Sequence, residues 1–359
     1  MKPETVLGRP RHPGDRGVSE SPIIASEPHL PILDSSIAEQ TRHPVPGMGA
    51  QLARNRAVAE EKKELADLLK AEGEEFPGCD YVTSDFKEWM DKLDLEKVKI
   101  KDVVWPGTHD SATNRIGVPF VSRPFAQCQS LSAYLQLTQG VRLIDIRVEK
   151  DCRVCHGILK SYHVKEVLAD VKRFLAETKS EFIILEIRTE YGHEDPPDFD
   201  KYLIEQLGDS LIPQDPHVFD KTLKELLPKR VICLWKPQKA AAPSPGSPLW
   251  SSAYLKDHWT DTDLPYTKFK NNMTHLEKQP AAHSRKYFYR VENTCTPQAD
   301  NIWVCVKPVT RRIQPYARLF ISQAYKKGLG DRLQIYSSDF VDSDFVNACI
   351  GVTVGRTSS

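Results

Sequence analysis

The chain has 359 residues, of which 40% are hydrophobic and 27% charged, so it can bury one large core, and a single main domain is expected. Its 49 basic side chains balance 49 acidic ones, which excludes the overall basic field typical of nucleic-acid binding, and a membrane surface would have to be met through local patches. No stretch reaches the roughly 18 apolar residues of a spanning helix. With no secretory signal and eight scattered cysteines, we expect a cytoplasmic protein with reduced thiols.

The N-terminal part of the chain has no apolar period at first and then becomes helical. Residues 1–50 are rich in Pro, Gly, Ser and charge and predict a disordered tail. Leucines on one face predict an amphipathic helix over residues 52–72, with Gly73 as its stop. A second helix, capped by Asp85, is predicted to reach Leu93.

Short apolar runs then alternate with helical patterns. Predicted strands cover residues 103–105, 141–148, 181–187, 230–235, 287–291, 302–306 and 333–336, and a helix is predicted over 310–327. This alternation indicates a parallel sheet covered by helices. A doubly wound sheet stays open, but no glycine-rich phosphate loop follows the first strand. We predict an α/β fold, a parallel barrel covered by helices, over residues 80–359, preceded by a tail and one helix over 1–79.

Polar side chains follow many of these strands where each strand ends. In a parallel barrel such positions meet at one rim, where active sites lie. Each one alone has an ordinary interpretation as a helix cap or a rim ion pair, but together they indicate a site, since two histidines, carboxylates and an arginine can cleave a phosphodiester. The positions are His109, Asp110, Asp145, Arg147, His156, Arg188, Lys236 and Asp339.

Four motifs carry a resemblance to a known family. They are Gly107-Thr108-His109-Asp110-Ser111, the run over 140–147, Val154-Cys155-His156-Gly157 and the strand over 182–188. In their order and spacing these motifs resemble the family of proteins that contain the X domain of phosphatidylinositol-specific phospholipase C. The resemblance extends over residues 80–354. The resemblance implies an irregular TIM-type (β/α)8 barrel, which agrees with the alternation of strands and helices.

The resemblance also implies an enzyme, a phosphoric diester hydrolase that opens phosphatidylinositol through a cyclic inositol phosphate. His109 would take the proton of the inositol 2-hydroxyl, Asp339 would orient it, and His156 would protonate the leaving oxygen. An imidazole with a pKa near about 6.5 can serve as either acid or base at neutral pH. Because the substrate hydroxyl is the nucleophile, no Ser or Cys nucleophile is required.

The remaining catalytic positions bear on metal use. By the resemblance, Asp110 would hold His156 charged, Arg147 would neutralise the phosphorane, and Asp145 belongs to the same cluster. Arg147 stands where calcium-dependent members carry an acidic ligand, Asp110 where they carry an amide, and Arg188 where they carry another carboxylate. We therefore expect calcium independence and no cofactor.

Cys152-x-x-Cys155-His156 matches a haem-attachment pattern. We do not expect haem, because no export signal is found, and we do not expect zinc, because no second Cys/His pair stands at zinc spacing.

The same alignment places four substrate contacts. Arg188 and Lys236 would face inositol hydroxyls, Asp257 would accept a hydrogen bond, and Trp259 would supply a stacking surface, unless it is ordinary core packing. The family often has lysine, arginine and tyrosine at the first, second and last of these positions, so three of the four differ here.

Two other functions remain open. One is a phosphodiesterase acting on glycerophosphodiesters or another lipid diester, although metal-using enzymes of that type need a Glu-x-Asp pair where this chain has Asp145-x-Arg147. The other is a catalytically weak phosphoinositide-binding adapter.

A phospholipid substrate implies transient membrane-surface contact. The Pro/Ala/Ser loop over 240–250, with Leu249 and Trp250, is a candidate for this contact; the alternative is that the loop is a solvated linker. The oligomeric state is open.

Overall fold

The computed structural model describes residues 48–298 and 305–358. Residues 1–47 of the tail predicted over 1–50 lie outside this part, and residues 48–50 are not a tail but the start of the first helix. The strands are β1 (Trp105–Thr108), β2 (Leu143–Val148), β3 (Arg153–His156), β4 (Leu159–His163), β5 (Ile183–Thr189), β6 (Val231–Lys236), β7 (Leu255–Asp257), β8 (Phe288–Asn293) and β9 (Ile335–Ser338). The helices are α1 (Met48–Glu72), α2 (Ala133–Thr138), α3 (Lys165–Glu177), α4 (Phe199–Leu207), α5 (Leu223–Leu226), α6 (Pro265–Glu277), α7 (Val306–Thr310), α8 (Ala317–Lys326) and α9 (Ser343–Thr357).

Seven parallel strands form one curled sheet. Their spatial order is β7-β8-β9-β1-β2-β5-β6, and an antiparallel hairpin of β3 and β4 extends from the end of β2. The first strand pairs with the last, Trp105 opposite Ile335, which an open doubly wound sheet would not do. The predicted irregular barrel is thereby confirmed, with its core made by strands that are buried almost along their whole length.

The two outermost strands, β6 and β7, are linked by a short bridge. Trp250 N donates to Cys233 O at 2.8 Å and Trp235 N donates to Trp250 O at 2.9 Å. The chain then enters β7 five residues later. The Trp250 indole is fully buried and donates to Ile212 O at 2.7 Å, and Leu249 is buried as well. These two side chains are therefore not available for lipid contact, because both are buried.

The helices begin and end where local chemistry requires. Ser132 caps α2 by accepting from Leu135 N, and Asp342 caps α9 by accepting from Phe345 N. Gly140, just after α2, has a φ of +93°, and a Cβ there would come within 2.6 Å of Val346. A side chain at this position would be strained and would also clash with α9.

Three predicted elements differ from the structure. The helix predicted to follow Asp85 is only a 3₁₀ turn over Trp89–Lys92, although the Asp85 carboxylate accepts from the amides of Lys87 and Glu88 as a helix cap does. The helix predicted over 310–327 is divided into α7 and α8, with a 3₁₀ turn over Gln314–Tyr316 that contains Pro315 between them. The strand predicted over 302–306 is wrong at Val306, which begins α7; residues 302–304 lie outside the described part.

The predicted helix over 52–72 is confirmed and packs against the barrel. It forms α1, ends at Gly73 with a φ of +68°, and buries Leu65 completely. Glu61 accepts from Thr267 N at 2.8 Å on α6, and Glu72 pairs with Lys326 at 2.9 Å on α8. Within the part of the chain that the structure describes, no helix combines the length and hydropathy needed to cross a bilayer.

Candidate active site

The strands bring the candidate residues to one rim of the barrel. Thr108 at the end of β1 lies opposite Ser338 at the end of β9 and opposite Ile144 in β2. His109 and Asp339, the residues that follow those strand ends, are therefore neighbours although they are 230 positions apart in the sequence. The parallel register is what converts separate sequence motifs into a single cluster.

His109 lies between two carboxylates. Its Nδ1 is 2.9 Å from Asp339 Oδ1, its Nε2 is 3.4 Å from Asp110 Oδ2, and it is only 7% exposed. Thr310 donates to the other Asp339 oxygen at 3.1 Å and so fixes the carboxylate. Burial alone would lower the pKa of His109, but the charges of Asp110 and Asp339 outweigh burial and raise the pKa to about 9.

His156 approaches the same carboxylate from the end of β3. Its Nε2 is 3.5 Å from Asp110 Oδ2, and its Nδ1 lies 2.7 Å from the carbonyl oxygen of Ala126, to which it donates. The side chain is 28% exposed, whereas that of His109 is 9% exposed. Both imidazole Nε2 atoms therefore lie close to Asp110 Oδ2. The distance between the two Nε2 atoms cannot exceed the sum of their distances to that oxygen. That separation suits two groups that flank one phosphate.

Arg147 lies beside this pair among three carboxylates. Its guanidinium is 3.2 Å from Asp110, 3.2 Å from Asp145 and 3.3 Å from Glu190. Burial raises the pKa of Asp110 and of Asp145, but the nearby positive groups together, with Arg147 the largest of them, outweigh burial and hold both pKa values below their usual range. Conversely, burial lowers the pKa of Arg147, but these carboxylates outweigh burial and raise it. The guanidinium is thus a permanent cation with donors near both rings.

A second charged cluster, centred on Arg290, lies next to the first. Arg290 donates to Glu186 at 2.6 Å and to Asp257 at 2.5 Å, and it lies 2.9 Å from Glu292. Lys236 pairs with Glu186 at 2.6 Å. The sequence analysis singled out neither Arg290 nor Glu186. The sequence did contain a signal for these two residues, because each is a charged side chain within an apolar strand. Glu186 in β5 and Arg290 in β8 are only 0% and 2% exposed, and charged side chains are rarely buried unless they are paired.

The four predicted substrate contacts lie around these clusters. Lys236 and Asp257 are held by ion pairs with Glu186 and Arg290, and Arg188 pairs in register with Lys236. Trp259 is 42% exposed and stacks on His109, with ring centroids 5.3 Å apart. Core packing therefore does not describe Trp259, which forms part of the wall above the imidazole.

A calcium ion does not fit the donor set at this rim. Calcium takes six to eight oxygen ligands, yet three carboxylates of this rim, those of Asp110, Asp145 and Glu190, already converge on the Arg147 guanidinium. An ion that needs so many oxygen ligands would have to displace this guanidinium. The donor set around Arg147 therefore does not suit calcium.

Comparisons with known proteins agree with this geometry. Residues 105–233 match the model of the family "Phosphatidylinositol-specific phospholipase C, X domain". A 1-phosphatidylinositol phosphodiesterase of Listeria monocytogenes is 31% identical over 115 residues, or 32% of this chain and 36% of that protein. A PI-PLC X-box domain-containing protein of Dictyostelium discoideum is 31% identical over 144 residues, 34% of this chain and 20% of that protein. The chain thus spans only about a third or less of the length of these relatives.

Solved structures extend the likeness to the whole barrel. Phosphatidylinositol-specific phospholipase C from Listeria monocytogenes superposes with a TM-score of 0.61 at 20% identity, covering 75% of this chain and 98% of that one. The Staphylococcus aureus enzyme superposes with a TM-score of 0.56 at 19% identity, covering 75% and 98%. These values show the shared fold. The family model covers residues 105–233 of the 359, a span that includes β1, β2 and both histidines, so this part of the chain is similar to the X domain of phosphatidylinositol-specific phospholipase C.

Proposed function

We propose that the protein is a metal-independent phosphodiesterase that cleaves phosphatidylinositol by general acid and base catalysis. The observation that carries the proposal is the convergence of both imidazole Nε2 atoms on Asp110 Oδ2, at 3.4 and 3.5 Å. Two proton-transfer groups placed on either side of one reacting atom supply the acid and the base that such a cleavage requires, each contributing roughly 10²–10⁴-fold.

The base in this proposal is His109. It takes the proton of the inositol 2-hydroxyl, and that oxygen attacks phosphorus to form the cyclic phosphodiester. Asp339 holds the ring by accepting from Nδ1, which leaves Nε2 free to receive the proton. Because the pKa of His109 is about 9 in the free protein, the basic form increases as the pH rises towards that value.

The acid is His156, which protonates the diacylglycerol oxygen as its bond to phosphorus breaks. Its donated bond from Nδ1 to Ala126 O sets the orientation of the ring, and Asp110 stabilises its charged form. Arg147 offers guanidinium N–H groups to the phosphoryl oxygens as negative charge develops there. Asp145 and Glu190 keep that guanidinium in place, so Arg147 takes the role that a calcium ion has in other members.

We assign the headgroup to the space beside Arg290. Lys236, Arg188 and Asp257 would contact inositol hydroxyls, and Trp259 would pack against the ring. The cations here already have close carboxylate partners, since Glu186, Asp257 and Glu292 surround Arg290. This near balance of charge suits a neutral polyol better than a headgroup with further phosphates, because added phosphates would bring uncompensated negative charge.

Membrane access would use a different surface from the loop over 240–250. Val118, Phe120, Val121, Phe125 and Ile158 are all at least half exposed, with Phe120 at 98% and Ile158 at 88%; we call them the apolar rim patch. Ala126, which holds His156, follows Phe125, and Ile158 lies two residues after His156. An exposed apolar cluster of this kind marks an interaction site, and here it would bind the protein to lipid with the catalytic rim facing the bilayer.

We propose the cytoplasm as the compartment, because its reducing conditions would maintain the eight cysteines as free thiols.

The test is hydrolysis of phosphatidylinositol vesicles by the full chain in EDTA. We expect diacylglycerol and a cyclic inositol phosphate from the wild type, and a loss of about 10²–10⁴-fold in kcat for His109→Ala and for His156→Ala. His217→Ala, at an exposed position in a 3₁₀ turn, is the matched control and should keep full activity.

The other outcomes separate the alternative functions. Turnover of glycerophosphodiesters, with phosphatidylinositol left intact, would assign the barrel to that substrate class instead. Vesicle binding with no turnover, unchanged by His156→Ala, would identify a phosphoinositide-binding adapter. Activity that appears only with calcium would contradict the assignment of Arg147.

A further inference from the structure

Cys128 faces the catalytic cluster, and the proposed reaction gives this side chain no role. The thiol is 1% exposed, and its Sγ lies 3.9 Å from Asp110 Oδ2, the same oxygen that both imidazoles approach. The ligand atoms of His109, Asp110 and Cys128 all lie within 4.8 Å of one another. A nitrogen, an oxygen and a sulfur donor therefore surround one small volume.

We propose that His109, Asp110 and Cys128 form an inhibitory binding site for a thiophilic divalent cation of the zinc class. Zinc bonds of about 2.0–2.3 Å in tetrahedral geometry place neighbouring donors about 3.3–3.6 Å apart. The observed edges of 3.4 Å for His109 Nε2 to Asp110 Oδ2, and 3.9 Å for Cys128 Sγ to the same oxygen, need only small side-chain movements. Nitrogen, sulfur and carboxylate donors together suit zinc and do not suit calcium or magnesium.

The surroundings of these three donors already have the form that metal sites use. A metal-bound histidine usually donates its other N–H to a carboxylate, and His109 Nδ1 is 2.9 Å from Asp339. The second Asp110 oxygen lies 3.2 Å from Arg147 Nε, so the carboxylate is oriented with Oδ2 towards the cluster. Thr113 Oγ1 accepts from the backbone N–H of Cys128 at 2.9 Å and holds the thiol in place.

Charge balance explains how a dication can enter beside Arg147. Ligation by a thiolate and a neutral imidazole releases the protons that these groups carry as the metal binds, and this loss offsets the two positive charges that the metal brings. His156 Nε2, 3.5 Å from the same Asp110 oxygen, lies next to the three donors.

The functional consequence rests on the proposed phosphodiesterase activity. A metal on Nε2 of His109 occupies the lone pair that would receive the hydroxyl proton. The same metal draws Asp110 Oδ2 away from His156 and so removes the charge that supports the acid. Zinc would therefore inhibit by blocking both proton transfers, and a chelator would restore activity.

The experiment uses the full chain with cobalt chloride and then zinc chloride. Cobalt is the spectroscopic probe, because a thiolate bound to Co²⁺ gives an intense ultraviolet charge-transfer band. In the wild type we expect this band to saturate at one cobalt ion per chain and to disappear when zinc is added. In Cys128→Ala we expect no band. Zinc affinity measured by calorimetry should fall by about 10–100-fold or more in Cys128→Ala. Cys233→Ala, which removes a buried thiol whose pKa is raised by burial alone, is the matched control and should resemble the wild type.

Two further variants keep the test decisive. If Cys128→Ala folds poorly in a thermal melt, Cys128→Ser preserves the size and polarity of the side chain and should also lose the band. Absence of the band in the wild type, or an unchanged band in the folded Cys128 variants, would overturn the site. Because the spectrum needs no turnover, a band in a protein that cleaves no lipid would reject the proposed function alone. Turnover that zinc leaves unaffected despite the band would reject only the inhibition.

Discussion

Replacement of Asp339 by asparagine should separate the charge of this carboxylate from its position. The oxygen of the new side-chain amide can still accept from His109 Nδ1, and its NH₂ group can donate to Thr310, whose hydroxyl now donates to Asp339 at 3.1 Å. The ring should therefore stay in place while one of its two neighbouring negative charges disappears. We expect this change to lower the pKa of His109 from about 9 by about 1–3 units, the usual effect of an opposite charge at this distance.

The assay is the pH dependence of kcat/KM, which reports the ionisation of the free enzyme. In the wild type the profile should be bell-shaped, because His109 must lose its proton to act as the base while His156 must keep its proton to act as the acid; loss of the His109 proton, with a pKa of about 9, sets the rising limb. In Asp339→Asn the rising limb should move to lower pH, and the maximal rate should fall because a less basic imidazole accepts a proton less readily.

The size of that fall is bounded by the contribution of one base, roughly 10²–10⁴-fold. Asp344→Asn removes an exposed carboxylate that pairs with Arg318 on the surface and should leave the profile unchanged. A rising limb that stays at the same pH in Asp339→Asn, while the imidazole titration of His109 followed by NMR does shift, would show that another group controls the rate.

Three other changes test separate parts of the structure. Arg147→Met should reduce kcat by at least about 10²-fold and lower the melting temperature, because Asp110, Asp145 and Glu190 would lose their shared cation; activity restored by calcium alone would contradict this. Phe120→Ser should weaken binding to phosphatidylinositol vesicles without altering turnover of a short-chain monomeric substrate, and an equal loss in both assays would remove the apolar rim patch from membrane contact. Leu65→Ala should cost about 2–5 kcal/mol in the free energy of unfolding measured by urea, and a loss below about 1 kcal/mol would mean that α1 is loosely attached.

Much of the fold followed from local patterns. Buried strands such as β5 and β6 consist of nearly continuous apolar residues, and this pattern alone is enough to locate them. The errors concerned the lengths of helices. The segment after Asp85 forms only a 3₁₀ turn although Asp85 accepts from two nearby amides, and Pro315 lies in the turn that divides the helix predicted over 310–327.

The loop over 240–250 shows a different limit of sequence interpretation. A leucine and a tryptophan beside a Pro/Ala/Ser segment are equally compatible with lipid contact and with burial. Only the bridge between Trp250 and β6 shows that they complete the wall of the barrel. The side chains that are in fact exposed, such as Phe120 and Ile158, lie in short segments whose sequences carry no amphipathic period.

By itself the sequence determined which residue types stand at the ends of which strands, since strand position follows from hydrophobic periodicity and the motifs follow from spacing. Only the tertiary structure decided which of those side chains meet. The distance between His109 and Asp339 depends on the pairing of the first strand with the last, and Arg290 in β8 finds two of its carboxylate partners on β5 and β7. The reason is physical, because long-range contacts are set by packing of the complete sheet, whereas local periodicity contains no information about which strands become neighbours.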